Sequence, residues 1–127
     1  MLEYRDLGRS GLVVSRIGLG CVTFGREIDE AASRQILDLA FERGLTLLDT
    51  AAAYGEERAS ERVLGRWLRE RGVRDEVVLC TKVTPPLSRK GVLDSVDESL
   101  RQLQTDRIDL LQIHAWDSNA VVEEWLG

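Results

Sequence analysis

Cysteine, proline, histidine and methionine are all scarce in this 127-residue chain, with two, two, one and one copies respectively. Each scarcity removes a class of explanation. Cys21 and Cys80 stand far apart and form no CxxC pair, so there is no disulfide framework to read. Two cysteines and one histidine are also too scattered for a zinc site. No apolar run approaches the roughly 20 residues needed to span a bilayer. The formal net charge is −5, which argues against nucleic acid and anionic membrane as partners. The opening Met1-Leu2-Glu3-Tyr4-Arg5-Asp6 lacks the basic and apolar segments of a signal peptide. With two isolated thiols, this gives the expectation of a cytoplasmic protein. Gly18, Gly20 and Gly25 do not fit a GxGxxG phosphate loop. Ser10 and Ser15 have no histidine near them in sequence, so a hydrolase triad has no support.

What the chain does have is alternation. Three apolar runs each finish on polar or ionisable residues: Leu45–Asp49, Val77–Lys82 and Ile108–His114. Each reads as a buried strand, and each follows a helical pattern. A strand–helix–strand alternation makes a parallel sheet. Before them, Leu2–Arg5 and Val13–Ser15 flank Gly8-Arg9-Ser10-Gly11, the pattern of a hairpin. Arg16–Gly20 reads as a short glycine-rich strand. Asp29 is the expected cap of a first helix whose stripe is Ala32, Ile36, Leu39 and Ala40. A second helix from about Ser60 buries Val63, Leu64, Trp67 and Leu68, and Gly72 ends it. A third, capped by Ser88, presents Val92, Val96, Leu100 and Leu103. A last helix is expected from about Ser118, with Val121, Val122, Trp125 and Leu126 apolar. The charged run Glu56-Glu57-Arg58, Glu61-Arg62 and Arg66 reads as a solvated helix face.

In parallel α/β sheets, ligands bind at the carboxyl ends of the strands. Asp49, Lys82 and His114 are all delivered to that face, and Tyr54 sits five residues past Asp49 in a loop on the same side. Singly, each has an ordinary structural explanation: a turn former, a snorkelling lysine, a core histidine, a packed ring. Together they make a proton-delivery device. A free tyrosine has a pKa near 10. A neighbouring lysine disfavours the protonated phenol. An aspartate holds that lysine in place and charged, and a neutral histidine can donate to a carbonyl oxygen. Trp116 reads equally as a pocket wall or as ordinary packing.

These motifs resemble the aldo-keto reductase superfamily over nearly the whole chain. Arg5–Ser15 looks like the family's N-terminal hairpin, and Gly18–Gly25 like its first strand and loop. Asp49-Thr50-Ala51-Ala52-Ala53-Tyr54-Gly55 resembles its Asp-Thr-Ala-x-x-Tyr-Gly motif, and Ser60-Glu61-Arg62-Val63-Leu64-Gly65 its Ser-Glu-x-x-Leu-Gly helix start. Thr81-Lys82 and Gln112-Ile113-His114 complete the order. The resemblance implies a (β/α)8 barrel that reduces aldehydes or ketones with NADPH. Carried over by motif, Tyr54 would be the general acid, tuned by Lys82 and Asp49, with His114 orienting the substrate carbonyl. Gly20, Cys21 and Val22 would line the nicotinamide end of the cofactor with Asp49 nearby, and Trp116 would border the substrate.

A closed barrel of this kind takes about 250 residues. The expectation is therefore one partial domain over 1–127: the N-terminal half of the barrel, four βα units behind a hairpin, truncated after the fourth strand and the start of the fourth helix. In the family, later strands carry most contacts to the cofactor's amide, pyrophosphate and 2′-phosphate. The resemblance thus implies catalytic groups without most of the dinucleotide clamp, and a chain inactive alone. The other readings are a regulatory half-barrel binding a partner, and self-association through exposed sheet edges.

Overall fold

The computed structural model describes residues 2–126, with side chains through Glu124. Strands β1 (Tyr4–Asp6) and β2 (Val13–Ser15) pair antiparallel as a hairpin. There follow β3 (Leu19–Gly20), α1 (Glu30–Glu42), β4 (Leu47–Asp49), α2 (Ala59–Arg71), β5 (Val78–Val83), α3 (Arg89–Leu103), β6 (Leu110–Ile113) and α4 (Glu123–Leu126). The sheet runs β3-β4-β5-β6, every pair parallel. The expected four βα units behind a hairpin are all there. The first strand is shorter than its pattern suggests, and only Leu19 and Gly20 pair with β4.

The register explains the two faces. Asp49 lies opposite Cys80, and Lys82 opposite Gln112. Side chains alternate along a strand, so Asp49, Cys80, Lys82, Leu110 and Gln112 share the concave face. Leu48, Leu79, Thr81 and Val83 point to the helices, where all four are buried. The core lies in that second layer, with Leu48 and Leu79 packed among Leu37, Leu64, Trp67 and Leu103. Helices α2 and α3 approach closely at Gly65, where a Cβ would come within 2.1 Å of the Gln102 carbonyl oxygen.

The second helix buries the expected stripe of Val63, Leu64, Trp67 and Leu68, and Gly72 caps it with φ +65°. The Asp29 and Ser88 caps form as expected. Along α3, Val92 and Leu103 are buried while Val96 and Leu100 are half-buried. The first helix departs from its expected stripe. Ser33 and Leu37 are buried, whereas Ile36 and Leu39 are exposed. Polar contacts to α2 set its rotation: Trp67 Nε1 donates to Asp38 Oδ1 at 2.8 Å, and Arg66 grips Glu30 through two bonds of 2.7 and 2.6 Å. The last helix also departs, starting at Glu123 and not near Ser118. The Asp117 carboxylate accepts from the Leu87 and Asn119 amides, both at 2.9 Å, and Ala120 N donates to the Asp117 carbonyl. These bonds hold 117–120 as a turn. Val121 is exposed, and the Trp125 and Leu126 side chains lie outside the described residues. No described helix is long and apolar enough to cross a membrane.

Candidate functional site

Strand ends position the site. Beyond β4 the chain keeps its hold on the sheet, with Thr50 N donating to the Cys80 carbonyl and Ala52 N to that of Lys82. Tyr54 follows in the loop. At the end of β6, His114 N donates to the Val83 carbonyl at 2.8 Å. The structure therefore brings the four expected residues together. Lys82 Nζ donates to Asp49 Oδ1 at 2.6 Å and to the Thr50 carbonyl at 2.9 Å. The same ammonium stands 4.8 Å from the centroid of the Tyr54 ring. The Tyr54 and His114 rings meet edge to face, centroids 5.6 Å apart and planes at 81°. A lysine held at both a carboxylate and an aromatic face is fixed in position and in charge.

Burial acts to lower the Lys82 pKa, but the hydrogen bond to Asp49 and the nearby Tyr54 hydroxyl outweigh it, and the value ends above the usual 10.5. Asp49 also borders a concavity of about 310 Å³ lined by Gly18, Gly20, Leu47, Cys80, Leu110 and Gln112. Cys80 donates to Gln112 Oε1 at 3.1 Å across that face. Burial, with the Asp49 carboxylate beside it, pushes the Cys80 thiol up to about 12.

The expected cofactor-facing residues divide. A Cβ built on Gly20 would meet nothing within 4 Å, and Val22 is exposed. Cys21 turns the other way. Its side chain is fully buried in the core, its amide donates to the Asp49 carbonyl, and its carbonyl accepts from Ser60 Oγ. It has no polar group to offer a ligand. Trp116 has 80% of its surface exposed.

The charged run after Tyr54 is a solvated face only in part, with Glu56 and Glu57 exposed and Arg62 and Arg66 half-buried. Glu61 is fully buried. Its Oε1 accepts from Thr81 Oγ1 and Ser99 Oγ, both at 2.7 Å, and its Oε2 accepts from Arg58 Nη1 at 3.1 Å. Arg58 also donates to Ser99 Oγ at 2.7 Å and Ser95 Oγ at 3.1 Å. The signal was present in sequence: Glu61, Leu64 and Leu68 stand at helical spacing, so Glu61 belongs to the buried stripe. Glu57 and Arg58 have φ of 49° and 59°, left-handed conformations that cost about 1–2 kcal/mol per residue. Gly55, at φ +80°, admits Ala59 where a Cβ would come within 2.7 Å of it.

With this geometry in place, the likeness to known proteins is specific. The model of the aldo/keto reductase family matches residues 16–127. The aldo-keto reductase YhdN of Bacillus subtilis is 37% identical over 136 residues, covering 97% of this chain and 41% of its own length. YrpG, an uncharacterised oxidoreductase of the same organism, is 36% identical over 140 residues, with 97% and 43% covered. The solved holo form of aldo-keto reductase AKR11C1 from Bacillus halodurans matches with a TM-score of 0.87 and 34% identity, over 98% of this chain and 44% of that one. The chain spans under half the length of each of these relatives.

Proposed function

The chain belongs to the aldo/keto reductase family of oxidoreductases, with the fold of the N-terminal half of its (β/α)8 barrel, and on that premise we propose that it carries the proton-delivery part of an NADPH-dependent aldehyde or ketone reduction. One observation carries the reading: the Lys82 ammonium is held at 2.6 Å by Asp49 and stands 4.8 Å from the Tyr54 ring centroid, with the His114 ring against that same tyrosine. In this reading Tyr54 gives its hydroxyl proton to the carbonyl oxygen as that oxygen gains charge. Lys82 stabilises the phenolate left behind, and Asp49 keeps Lys82 in place. His114 orients the carbonyl oxygen, and the exposed Trp116 borders a small-molecule substrate.

NADPH, when bound, supplies the hydride. The residues at its nicotinamide end suit it in part. Gly20 leaves open space, Val22 is exposed, and the Asp49 carboxylate reaches the same face. Cys21 contributes only by shaping the loop. By resemblance the remaining cofactor contacts belong to later strands, so this chain alone is expected to hold NADPH weakly and to turn over little. Hydride transfer needs near-attack geometry, and about 1 Å of misplacement costs roughly 100-fold.

A second reading is self-association. Apolar side chains at both flanks are exposed: Ile36 and Leu39 on α1, Leu111 and Ile113 on β6. Open sheet edges and apolar patches favour association.

The test of the first reading joins residues 1–127 to the C-terminal remainder of YhdN and measures reduction of 4-nitrobenzaldehyde by NADPH. The expected result is turnover that Tyr54→Phe abolishes while NADPH binding, followed by fluorescence titration, stays nearly unchanged. A folded chimera that turns over equally well with Phe at position 54 would remove Tyr54 from the role of acid. Micromolar NADPH binding and turnover by the unjoined chain would remove the need for the later strands. Light scattering at several concentrations tests the second reading, and a monodisperse monomer would end it.

A further inference from the structure

The loop that carries Tyr54 reaches α2 through Glu57 and Arg58, two successive non-glycine residues in left-handed conformation. Such a path persists only where surrounding contacts over-determine it. Those contacts centre on Glu61, which is fully buried. We propose that the Arg58–Glu61 ion pair is a positioning device for the site, fixing the Tyr54 loop against Lys82 and its strand.

The pair bonds to the strand that carries Lys82, and Ser60 between its two members bonds to the Tyr54 loop. The Glu61 carboxylate accepts from Thr81 Oγ1 at 2.7 Å, and Thr81 is the residue before Lys82. Ser60, between the two charges, donates its amide to the Tyr54 carbonyl at 3.1 Å. Its hydroxyl donates to the Cys21 carbonyl and meets Thr50 Oγ1, both at 2.7 Å. The Thr50 carbonyl in turn receives Lys82 Nζ at 2.9 Å. Arg58 ties this segment to α3 through Ser95 and Ser99. One stretch of four residues thus bonds to the Tyr54, Cys21, Thr50 and Thr81 positions at once.

Helix capping does not account for the pair. An acid in a first helical turn ordinarily serves the free amides there. The hydrogen bonds of Glu61 go to β5, α3 and the Arg58 guanidinium. Arg58, at the cap position, makes no side-chain capping bond. A buried carboxylate with three charged or hydroxyl partners is costly to disturb. It is placed where a disturbance would be felt at Tyr54, not at the helix end.

The proposal deepens the reductase reading, since holding Tyr54 matters for reduction only if Tyr54 is the proton donor. Its test reads position and not turnover, so a well-held Tyr54 in this chain together with an inactive, folded YhdN chimera would count against the reductase reading alone. NMR on the 127-residue chain follows the Ser60 amide and the Tyr54 ring resonances, with Tyr4 and Trp67 as internal references. In the unsubstituted chain the Ser60 amide is expected to exchange as slowly as core amides of α2. Glu61→Gln keeps an acceptor for Thr81 and Ser99 but removes the charge that Arg58 faces. It is expected to speed Ser60 exchange by about tenfold or more and to move the Tyr54 ring resonances toward those of a free tyrosine. The Trp67 signals should stay in place. Arg58→Ala is expected to do the same, with no further change in the double variant, and Arg58→Lys to restore part of the protection. Rapid Ser60 exchange in the unsubstituted chain would overturn the proposal. So would a folded Glu61→Gln or Arg58→Ala variant with unchanged Tyr54 resonances. Should Glu61→Gln fail to fold, Arg58→Ala and the unsubstituted chain decide the matter.

Discussion

Strands β5 and β6 are neighbours, both parallel, and each ends at a residue of the proposed site, yet they are supported very differently. Every residue of β5 but Lys82 is buried. In β6, Leu110 is half-buried and Leu111, Gln112 and Ile113 are exposed. The difference comes from what covers them. Helices α2 and α3 lie over β5, and a fully buried carboxylate accepts from its Thr81. Among the described residues, the helix that follows β6 is the four-residue α4. Lys82 therefore inherits its position from a core. His114 has one backbone bond to Val83 and the edge of the Tyr54 ring. Two residues of equal rank in a sequence motif differ in how firmly this chain alone can hold them.

The contrast is sharpest in the core. Leu79 is fully buried on β5, and Leu111, opposite Thr81 on β6, is 44% exposed. Leu79→Ala is expected to cost about 2–5 kcal/mol, and Leu111→Ala less than about 1 kcal/mol, measured by urea unfolding. Equal costs would erase the distinction. Thiol chemistry gives a second measure. Burial pushes the Cys21 and Cys80 thiols up to about 12, and both are shielded. At pH 8 each is expected to react with a disulfide reagent about 100-fold or more slowly than in the unfolded chain. A cysteine introduced as Leu111→Cys should react close to the unfolded rate.

The smallest effect is the pH dependence of the Lys82 pair. Its folded pKa lies above the usual 10.5, so the folded state binds the proton more tightly than the unfolded state. The stability this confers is fully present below about pH 10 and is lost as pH rises through the raised folded value. Lys82→Met should flatten the decline of stability in that alkaline range and leave its slope at pH 5–8 unchanged. An unchanged alkaline slope would mean that the ammonium is not held by Asp49 in solution.

Much of this was legible in the chain. Asp49, Lys82 and His114 could be placed because each closes an apolar run, and the sheet then fixes their common face. The α2 stripe was legible because Val63, Leu64, Trp67 and Leu68 match its buried side. The α1 stripe was not, because its rotation is set by Asp38 and Glu30 meeting Trp67 and Arg66, polar contacts that an apolar count overlooks. The start of α4 was hidden by the Asp117 turn. Glu61 looks solvated in the sequence because it sits in a charged run. Its partners held the missing signal: Thr81 lies inside an apolar strand, and Ser99 occupies a buried position of α3. Polar groups in such places require a polar partner, and Glu61, in register with Leu64 and Leu68, is that partner. Cys21 was placed by motif at the cofactor, but its loop turns the thiol inward.

The unequal support of the two strands is tested most directly by native-state hydrogen exchange on the 127-residue chain, resolved by residue. The Val78 amide, bonded to the Thr46 carbonyl at 2.8 Å inside the sheet, and the His114 amide, bonded to Val83 at the same distance on the edge, have equally good hydrogen bonds. Support, not bond length, is predicted to separate them, with His114 exchanging about tenfold or more faster. Equal rates would show that β6 is held as firmly as β5 and would contradict the account.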